Sequence, residues 1–406
     1  MDPEYPIYEW INKELCTKIV SSYMRKSCEI TDLDIKYATR KGDNFTSALF
    51  RIKLSYSAAG GPQVHQLRFI LKTPIQLDLM DAVSAEFNIF KRESVVYGTI
   101  LEKCYNLLRE KGDTVVFGPR PLYVEEKLLA MEDLTAMNYN LMGKGKKFNR
   151  HQCNLVLSKV ARWHASTVVL FEKEPNLFEN HHVPNFSEET EHMHVFFTNL
   201  LAAAMKHNRG APELKNFTNK LAAFTADFLP KLFGVFKRDI NGFSVLSHGD
   251  MWTNNILFRH NDEDNQSDDV LFVDFQEGFF GSPGIDLNYF LYTSVEVDLL
   301  LNHYDVLIAF YHGELEKTLK LLNYSGKLPT LQDIHNEIIK IGAHGLFTLL
   351  GLVPVMTTPH TQYAEASYFF EDTEETLKAR DLIFSDQQHI KLVAKLLPRF
   401  VQNGTL

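Results

Sequence analysis

Two polar motifs, separated by one predicted β-hairpin, constrain the fold more than any other feature of the sequence. The first is His248-Gly249-Asp250-Met251-Trp252-Thr253-Asn254-Asn255, and the second is Asp274, which follows the apolar run Val270-Leu271-Phe272-Val273. The apolar residues on either side of each motif predict strands, and the polar run at 261–269 predicts a solvated hairpin loop. The polar side chains are therefore expected to converge from fixed backbone.

The residue types in these motifs are those that phosphoryl transfer to an alcohol needs. A carboxylate must orient the hydroxyl and accept its proton, and oxygen ligands must hold Mg²⁺ on the phosphates. Asp250 is the candidate base, and Asn255 and Asp274 are the candidate metal ligands. Their spacing is typical of a kinase catalytic loop and its metal-binding aspartate. The alternative, that Asp250 and Asn255 only cap a turn, leaves Asp274 unexplained. His248 has no partner in the sequence and is expected to support the loop.

The first third of the chain predicts a small sheet and two helical segments. Period-two alternation predicts strands, and apolar residues at helical spacing predict helices. The predicted helical segments are 7–30 and 81–108, and the predicted extended segments are 33–38, 48–56, 65–72, 122–127 and 128–132. The first three strands form an antiparallel meander.

Beyond residue 135 the pattern is mainly helical. The predicted helical regions are 149–173, 187–206, 211–238, 285–323, 331–353 and 362–396, with one β-rich interruption at 243–275. A chain of 406 residues is too long for one core. We therefore predict an α+β, two-lobed, protein-kinase-like fold. A small antiparallel lobe at 1–134 binds nucleotide, a hinge lies near 132–134, and a larger helical lobe at 135–406 carries catalysis and the acceptor.

A lysine for the phosphates is expected from the small lobe. Lys72 ends the third predicted strand, as the strand lysine of a kinase does. Its partner is Glu86 or Glu93, which lie seven residues apart on one helix face, and spacing does not choose between them. The turn at 41–47 carries Gly42 and lacks a glycine-rich repeat, but its backbone N–H groups could still cradle phosphate.

Composition excludes several other classes of protein. The net charge of −9 argues against a nucleic-acid partner. The four cysteines have the spacing of neither a zinc site nor a disulfide framework. The N-terminus lacks the pattern of a secretory signal, and the most apolar stretch, 345–356, is too short for a membrane span. A cytoplasmic protein with no membrane span and no obligate protein partner is expected.

The segment after Asp274 indicates a small acceptor. Protein kinases continue into a long activation segment that carries a peptide substrate. Here Gly281-Ser282-Pro283-Gly284-Ile285-Asp286-Leu287 begins almost at once and a helix follows. No room remains for a peptide platform.

The sequence resembles the insect ecdysteroid-kinase-like family, within the wider choline kinase and aminoglycoside phosphotransferase group. The resemblance covers nearly the whole chain. Its motifs are Lys41-Gly42-Asp43-Asn44-Phe45, Phe69-Ile70-Leu71-Lys72, Phe90 with Glu93 and Tyr97, Met131-Glu132-Asp133-Leu134, Ala161-Arg162-Trp163-His164-Ala165, the loop from His248 to Asn255, Val273-Asp274-Phe275-Gln276, and Gly281-Ser282-Pro283 before Asp286-Leu287.

The resemblance implies roles that spacing alone does not give. It implies ATP and Mg²⁺ as cofactors and favours Glu93 as the partner of Lys72. It implies that backbone near Glu132, Asp133 and Leu134 holds adenine, and that the turn with Gly42, Asn44 and Ser47 meets the phosphates. It also implies that Asp286 bonds the catalytic loop from below. Gln276 departs from the glycine of protein kinases, so little of their regulatory flip is expected.

The resemblance also names a candidate acceptor, a hydroxyl of an ecdysteroid or a similar apolar compound. A xenobiotic alcohol or phenol satisfies the same pattern. An amino alcohol such as choline would want an aromatic cage with carboxylates. A pseudokinase or small-molecule binding module is the non-enzymatic alternative, and the intact Lys72, Asp250, Asn255 and Asp274 argue against it. The acceptor pocket is expected beside Asp250, walled by helices within 149–240 and 285–396.

Overall fold

An antiparallel five-stranded sheet forms the small lobe, and helices form most of the rest. The computed structural model describes residues 7–39, 47–75, 89–143, 145–183, 186–239, 242–261 and 266–406. The strands of the sheet are β1 (Cys28–Tyr37), β2 (Ser47–Ala58), β3 (Val64–Pro74), β4 (Pro121–Glu125) and β5 (Leu128–Glu132), in the order β1-β2-β3-β5-β4. The predicted α+β, two-lobed fold class is confirmed.

Helix α1 (Lys13–Met24) packs beneath the sheet and is shorter than predicted. Asn12 caps its start by accepting hydrogen bonds from two backbone N–H groups of the first turn. Arg25 ends it in the left-handed conformation, with φ of 52°. The chain then enters β1 at Cys28, whereas the sequence pattern predicts a helix to residue 30 and a strand from residue 33. Pairing of Cys28 with Ala58 provides a strand partner that local periodicity cannot reveal.

One long helical segment lies between the sheet and the large lobe. It consists of α2 (Ile89–Val95), a π-helical turn (Val96–Ile100) and α3 (Leu101–Arg109). Glu93 lies in α2, whereas α3 packs against α4 (Arg150–Lys173) of the large lobe. The segment therefore touches both lobes, and its buried side chains from Val96 onward join the core of the larger one.

The helices of the large lobe surround one continuous apolar core. After α4 they are α5 (Glu191–Asn208), α6 (Thr218–Ala226), α7 (Phe228–Val235), α8 (Gly284–Ser294), α9 (Val297–Asn302), α10 (Tyr304–Leu321), α11 (Leu331–Lys340), α12 (Gly342–Phe347), α13 (Val353–Thr357), α14 (Glu374–Phe384) and α15 (Gln387–Gln402). A π-helical segment (Thr348–Leu352) joins α12 to α13. Short 3₁₀ turns lie at Leu134–Met137, Pro175–His181, Pro212–Phe217, Thr253–Asn255, Phe275–Glu277, Thr361–Tyr363 and Ala366–Phe369.

Four of the helical regions predicted from sequence are interrupted, and one of them, 331–353, bends after Lys340 and becomes π-helical at Thr348–Leu352. The region 211–238 begins as a 3₁₀ turn and breaks at Asp227, and 362–396 begins with two short 3₁₀ turns. The region 285–323 breaks at Val295, which is extended and bridges to Phe148. Backbone hydrogen bonds from Phe148 to Ser294 and from Glu296 to Phe148 fix that break. A partner distant in sequence thus overrides the local helical pattern.

Five short strands complete the large lobe and carry the polar motifs. Strands β6 (Tyr139–Asn140), β8 (Ile256–His260) and β9 (Ser267–Phe272) form one antiparallel sheet, and β7 (Val245–Leu246) pairs with β10 (Phe280–Gly281). The loop from His248 to Asn255 leads from β7 into β8, and Asp274 follows β9.

No single helix in the described ranges is long and apolar enough to cross a membrane. The segments Leu331–Lys340 and Gly342–Thr357 together have the length and composition of a membrane span, and nothing beyond length and composition indicates one. They are bent by 58° relative to each other.

Candidate active site

Asp286, in the first turn of α8, holds the loop that carries Asp250. Its carboxylate accepts the backbone N–H groups of His248 at 2.7 Å and Gly249 at 2.8 Å, and Nε2 of His164 lies 2.9 Å away. Burial would raise the pKa of Asp286, but the bond from His164 and the neighbouring imidazoles hold it below the usual range. The carboxylate is therefore ionised at neutral pH, and its hydrogen bonds are charge-assisted.

Gly249 is required by the shape of this loop. Its φ of 85° lies in the left-handed region, and a Cβ built there would stand 2.2 Å from the backbone oxygen of Glu277. Only glycine avoids both the strain and the clash. The close approach brings the loop against the 3₁₀ turn that follows Asp274.

Asp250 lies half-buried on the floor between the lobes. Nδ2 of Asn255 donates to its Oδ2 at 2.7 Å and to its backbone oxygen at 3.0 Å, and the Tyr289 hydroxyl also donates to the carboxylate. Burial and the nearby charge of Asp274 outweigh these bonds and raise the pKa of Asp250 to about 7. A carboxyl that titrates near neutral pH is suited to taking a proton.

Lys72 lies between two carboxylates at the roof of the cleft. Its Nζ is 2.7 Å from Glu93 and 2.7 Å from Asp274, and 3.4 Å from the side-chain oxygen of Gln276. Burial alone would lower the pKa of Lys72, but the charges of Asp274 and Glu93 raise it above its ordinary value. Of the two partners left open by spacing, Glu93 is in contact with Lys72, and Glu86 lies outside the described residues.

His248 ties the loop of Asp250 to the strand that precedes Asp274. Its Nε2 lies 2.9 Å from the backbone oxygen of Val273, and the N–H of Asp250 donates to its Nδ1 at 3.3 Å. Burial lowers the pKa of His248, which keeps the imidazole neutral. The neutral ring can therefore donate through Nε2 and accept through Nδ1.

Asn255 and Asp274 are placed side by side. The N–H of Val273 donates to the backbone oxygen of Asn255 at 3.1 Å, which holds the two residues at one edge of the hairpin. The Asn255 amide nitrogen is turned to Asp250, so its Oδ1 points away from that bond. Asp274 has φ of 70°, a strained value for a residue with a side chain.

This donor set fits a magnesium ion shared with phosphates. Mg²⁺ usually takes one or two carboxylates and completes its shell with waters and substrate phosphates. In the described part of the chain no group of three His, Cys, Asp or Glu side chains could hold a metal alone. One carboxylate from Asp274 and one amide oxygen from Asn255 are thus appropriate for Mg²⁺ only when a phosphate is present.

A cleft of about 620 Å³ lies between the lobes and runs from the hinge to Asp250. Five of the residues predicted to bind nucleotide line it, and so do both metal-ligand candidates, Asn255 and Asp274; the five are Ser47, Lys72, Glu132, Asp133 and Leu134. Ser47 begins β2, is buried and faces the cleft. Gly42 and Asn44 lie outside the described residues, so their part in the phosphate turn stays a prediction.

The side chain of Asp133 is committed to the hinge itself. Its Oδ2 accepts from Arg51 at 2.8 Å and from Arg68 at 2.6 Å, and its Oδ1 accepts from Thr135. The two arginines lie on β2 and β3, so the carboxylate fastens the sheet to the hinge. Only the backbone atoms of Asp133 therefore remain free to bind a nucleotide base in the cleft.

A second cavity, of about 260 Å³, opens on the other side of Asp250. Its walls come mainly from α5, α7, α8 and the segment from α12 to residue 370. These elements belong to the two helical parts of the chain, 149–240 and 285–396, from which the sequence predicts the walls of the acceptor pocket. Most of its lining is apolar: Phe186, Met193, Phe196, Phe197, Leu200, Leu232, Phe236, Phe347, Leu352, Val355, Met356, Ala366, Phe369 and Phe370. Its polar groups are Asp250, Gln276, Glu277 and His344, with Trp252 and Tyr289 beside them.

Three contacts of the site were missed by the sequence analysis. Tyr289 bonds Asp250, His164 bonds Asp286, and Gln276 contacts Lys72. Tyr289 stands three residues after Asp286 on one helix, so the shared helix face could have revealed it. His164 comes from a helix more than a hundred residues away, and nothing in its own segment indicates the contact.

The two-lobed α+β fold and the family model that matches the chain indicate a small-molecule kinase-like phosphotransferase. The chain belongs to the ecdysteroid kinase-like family, whose model matches residues 41–324. No curated protein sequence matches the chain. Among solved structures, an ethanolamine kinase of Plasmodium vivax matches at 11% identity over 91% of this chain and 83% of that one, with a TM-score of 0.41.

Proposed function

We propose that this protein transfers the γ-phosphate of ATP to a hydroxyl of a small, largely apolar alcohol, with an ecdysteroid or related steroid as the leading candidate. One observation carries the proposal. The nucleotide cleft and the apolar cavity share Asp250, Trp252, Gln276, Val355 and Met356, so they meet at the candidate base. A hydroxyl held in one cavity can therefore face a phosphate held in the other, and such positioning supplies much of the rate.

Each residue has a distinct part in this proposal. Asp250 orients the hydroxyl and takes its proton, and its pKa of about 7 lets it do so near neutral pH. Lys72 holds the phosphates, and Glu93 fixes its position. Asp286 and His248 hold the loop rigid. The backbone of the hinge at Glu132 to Leu134 binds the adenine ring. Ser47 and the turn with Gly42 and Asn44 lie over the phosphates.

Asp274 and Asn255 would hold Mg²⁺ together with the phosphates. When bound, the ion supplies positive charge to the phosphate oxygens as the bond to the γ-phosphorus breaks. Lys72 bonds Oδ1 of Asp274 at 2.7 Å, which leaves the other carboxylate oxygen for the metal.

The apolar cavity supports an uncharged alcohol over a charged one. Phenylalanines dominate its lining, and such surface binds an apolar body and disfavours a strongly hydrated cation. A volume of about 260 Å³ lies just below the range typical for drug-sized ligands. A compact alcohol would fit inside, and a steroid would fill the cavity and extend through its mouth.

An amino alcohol of the choline or ethanolamine type is the second candidate. Glu277 and Asp250 bring carboxylates to an aromatic-lined cavity, which is the arrangement that a cationic headgroup prefers. The buried guanidinium of Arg92 interacts with the charge of Glu277, however, and offsets it. This compensation favours the neutral acceptor.

Mass spectrometry of an acceptor panel tests the proposal. The protein is incubated with ATP, Mg²⁺ and separate steroids, amino alcohols, phenols and simple alcohols, and each compound is examined for the gain of one phosphate. We expect phosphorylation of an apolar alcohol by the wild type and none by Asp250→Asn. Phosphorylation of amino alcohols alone would select the second candidate. Nucleotide binding with no phosphorylated compound would indicate a binding module, and phosphorylation of protein only would contradict the proposal.

A further inference from the structure

His344 is the polar residue of the apolar cavity that the site described above does not use. It lies in α12, is 7% exposed and lines the cavity. Its Nδ1 has no hydrogen-bond partner among the residues that the structure describes. A buried polar atom without a partner lowers stability, so an apolar side chain would be the more stable choice at this position.

Packing fixes the ring at a defined place beside the candidate base. The imidazole stacks on Tyr289, with ring centroids 5.7 Å apart and planes inclined by 14°. The hydroxyl of Tyr289 in turn donates to Asp250. His344 is therefore in contact with the tyrosine that bonds the candidate base.

The approach of α12 to α8 makes this stack possible. A Cβ at Gly345 would lie 2.7 Å from Oδ1 of Asn288, so a larger residue there would push the two helices apart. Phe236 also contacts the imidazole, with ring centroids 6.0 Å apart and planes inclined by 76°. Two aromatic neighbours thus fix the ring, as a specific binding group requires.

The imidazole is uncharged at neutral pH. Burial lowers the pKa of His344 to about 4, and the charge of Asp286 opposes that shift only in part. A neutral imidazole has one nitrogen that donates and one that accepts. It can therefore bond a hydroxyl or a carbonyl oxygen and offers no charge to an ionic group.

We propose that His344 binds a second oxygen of the acceptor, so that the preferred substrates are apolar alcohols with a further hydroxyl or carbonyl within a few bonds of the reacting hydroxyl. This inference rests on the proposed function, because it assumes that the apolar cavity holds the acceptor. His344 acts as a specificity residue: it touches the substrate but takes no part in the transfer of the proton or the phosphate.

Kinetics with matched pairs of alcohols test the inference. The acceptors are cyclohexane-1,2-diol and cyclohexane-1,3-diol against cyclohexanol, and a steroid vicinal diol against the same steroid lacking one hydroxyl. For the wild type we expect kcat/KM to favour a diol by roughly tenfold, the size of one neutral hydrogen bond. In His344→Phe, which keeps the stacked ring and loses both nitrogens, that preference should vanish, mainly through a higher KM for the diol.

Two further variants separate binding from folding. His344→Gln retains a donor and an acceptor and should restore part of the preference. His389→Phe is the matched control, because His389 also has a pKa lowered to about 4 and a ring nitrogen without a partner among the described residues, yet it lines neither cavity. It should leave the preference intact.

Several outcomes would overturn the inference and leave the proposed function standing. One is that His344→Phe keeps the wild-type preference for diols. Another is that it lowers kcat/KM for diol and mono-ol by the same factor, as a purely structural residue would. A third is that other alcohols of the acceptor panel are phosphorylated but neither matched pair is. If the wild type phosphorylates no alcohol at all, the proposed function itself fails, and the inference fails with it.

Discussion

The nucleotide cleft and the apolar cavity meet at Asp250, yet they are built in different ways. Charged and polar groups dominate the working end of the cleft, where Lys72 lies between Glu93 and Asp274. The apolar cavity is lined mainly by phenylalanine and aliphatic side chains, with a single stacked imidazole near the base. The first arrangement fits a ligand of fixed charge, and the second fits a ligand of variable shape.

The comparison extends to how each cavity is specified along the chain. Short motifs at the ends of strands supply most of the cleft, so each motif carries its chemistry with it. The walls of the cavity come from helices that lie far apart in sequence, such as α5 and α12, and they carry ordinary core residues. Substitutions in the lining of the cavity can therefore change which acceptor binds without altering the residues that act on the phosphates.

The largest effect is expected at the shared residue. Asp250→Asn removes the group that takes the proton, and loss of a general base typically lowers turnover ~10²–10⁴-fold. Nucleotide binding, measured by calorimetry, should be nearly unchanged because the cleft keeps Lys72 and Asp274. Asp268→Asn, at an exposed ion pair with Arg259, is the control. Near-normal kcat in Asp250→Asn on a confirmed acceptor would remove Asp250 from this role.

The buried ion pair at the roof of the cleft should contribute far more than an exposed pair of the same length. Lys72→Met leaves Glu93 buried without its ammonium, which costs about 3–5 kcal/mol of unfolding free energy. Lys378→Met breaks a pair of 2.7 Å on the surface of α14, and we expect only about 0.3–0.5 kcal/mol. Denaturant unfolding of both variants measures the difference. Equal losses would mean that burial does not distinguish the two pairs.

Asp274 should affect the cleft and leave the cavity unchanged. Asp274→Asn removes the only carboxylate proposed for Mg²⁺, and we expect nucleotide affinity in the presence of Mg²⁺ to fall by at least ~10–100-fold, the size seen even for weaker changes around metals. Acceptor binding, measured without nucleotide, should not change. If Mg²⁺-dependent nucleotide binding and activity both survive, Asp274 is not a metal ligand.

The smallest effect concerns stability as a function of pH. The pKa of Asp250 is raised to about 7 in the folded protein, chiefly by burial, so the folded state keeps a proton that the unfolded chain releases above about pH 4. Stability from this proton is complete below about pH 4 and is lost as the pH rises to 7. Asp250→Asn should therefore be more stable than wild type by roughly 2 kcal/mol at pH 8, after allowance for the water that reaches this half-buried carboxyl.

At pH 4 the two proteins should unfold at the same temperature. Thermal unfolding across this pH range gives the comparison, with Asp268→Asn again as the control. A constant difference between Asp250→Asn and wild type at every pH would show that the carboxyl of Asp250 has an ordinary pKa.

The sequence alone determined three strands of the small lobe's sheet and the motifs of the cleft. Strand alternation and turn residues are local signals, so β2, β3 and β5 lie where periodicity predicts them. The same is true of the polar motifs around Asp250 and Asp274. Their residue types indicate the chemistry, and the predicted strands on either side indicate where the polar side chains lie. Spacing left Glu86 and Glu93 open, and the family resemblance favoured the one that contacts Lys72.

Only the tertiary structure decided what surrounds these motifs. The end of α1 at Arg25 and the break of the helical region at Val295 depend on strand partners and hydrogen bonds from distant segments. The sequence gives no sign that the side chain of Asp133 is bound by Arg51 and Arg68 from the sheet, because those arginines lie on strands distant in sequence. The apolar cavity and the stack of His344 on Tyr289 arise where helices from both ends of the large lobe pack together. Core phenylalanines and pocket phenylalanines look the same in a sequence, because burial is a property of the packed chain.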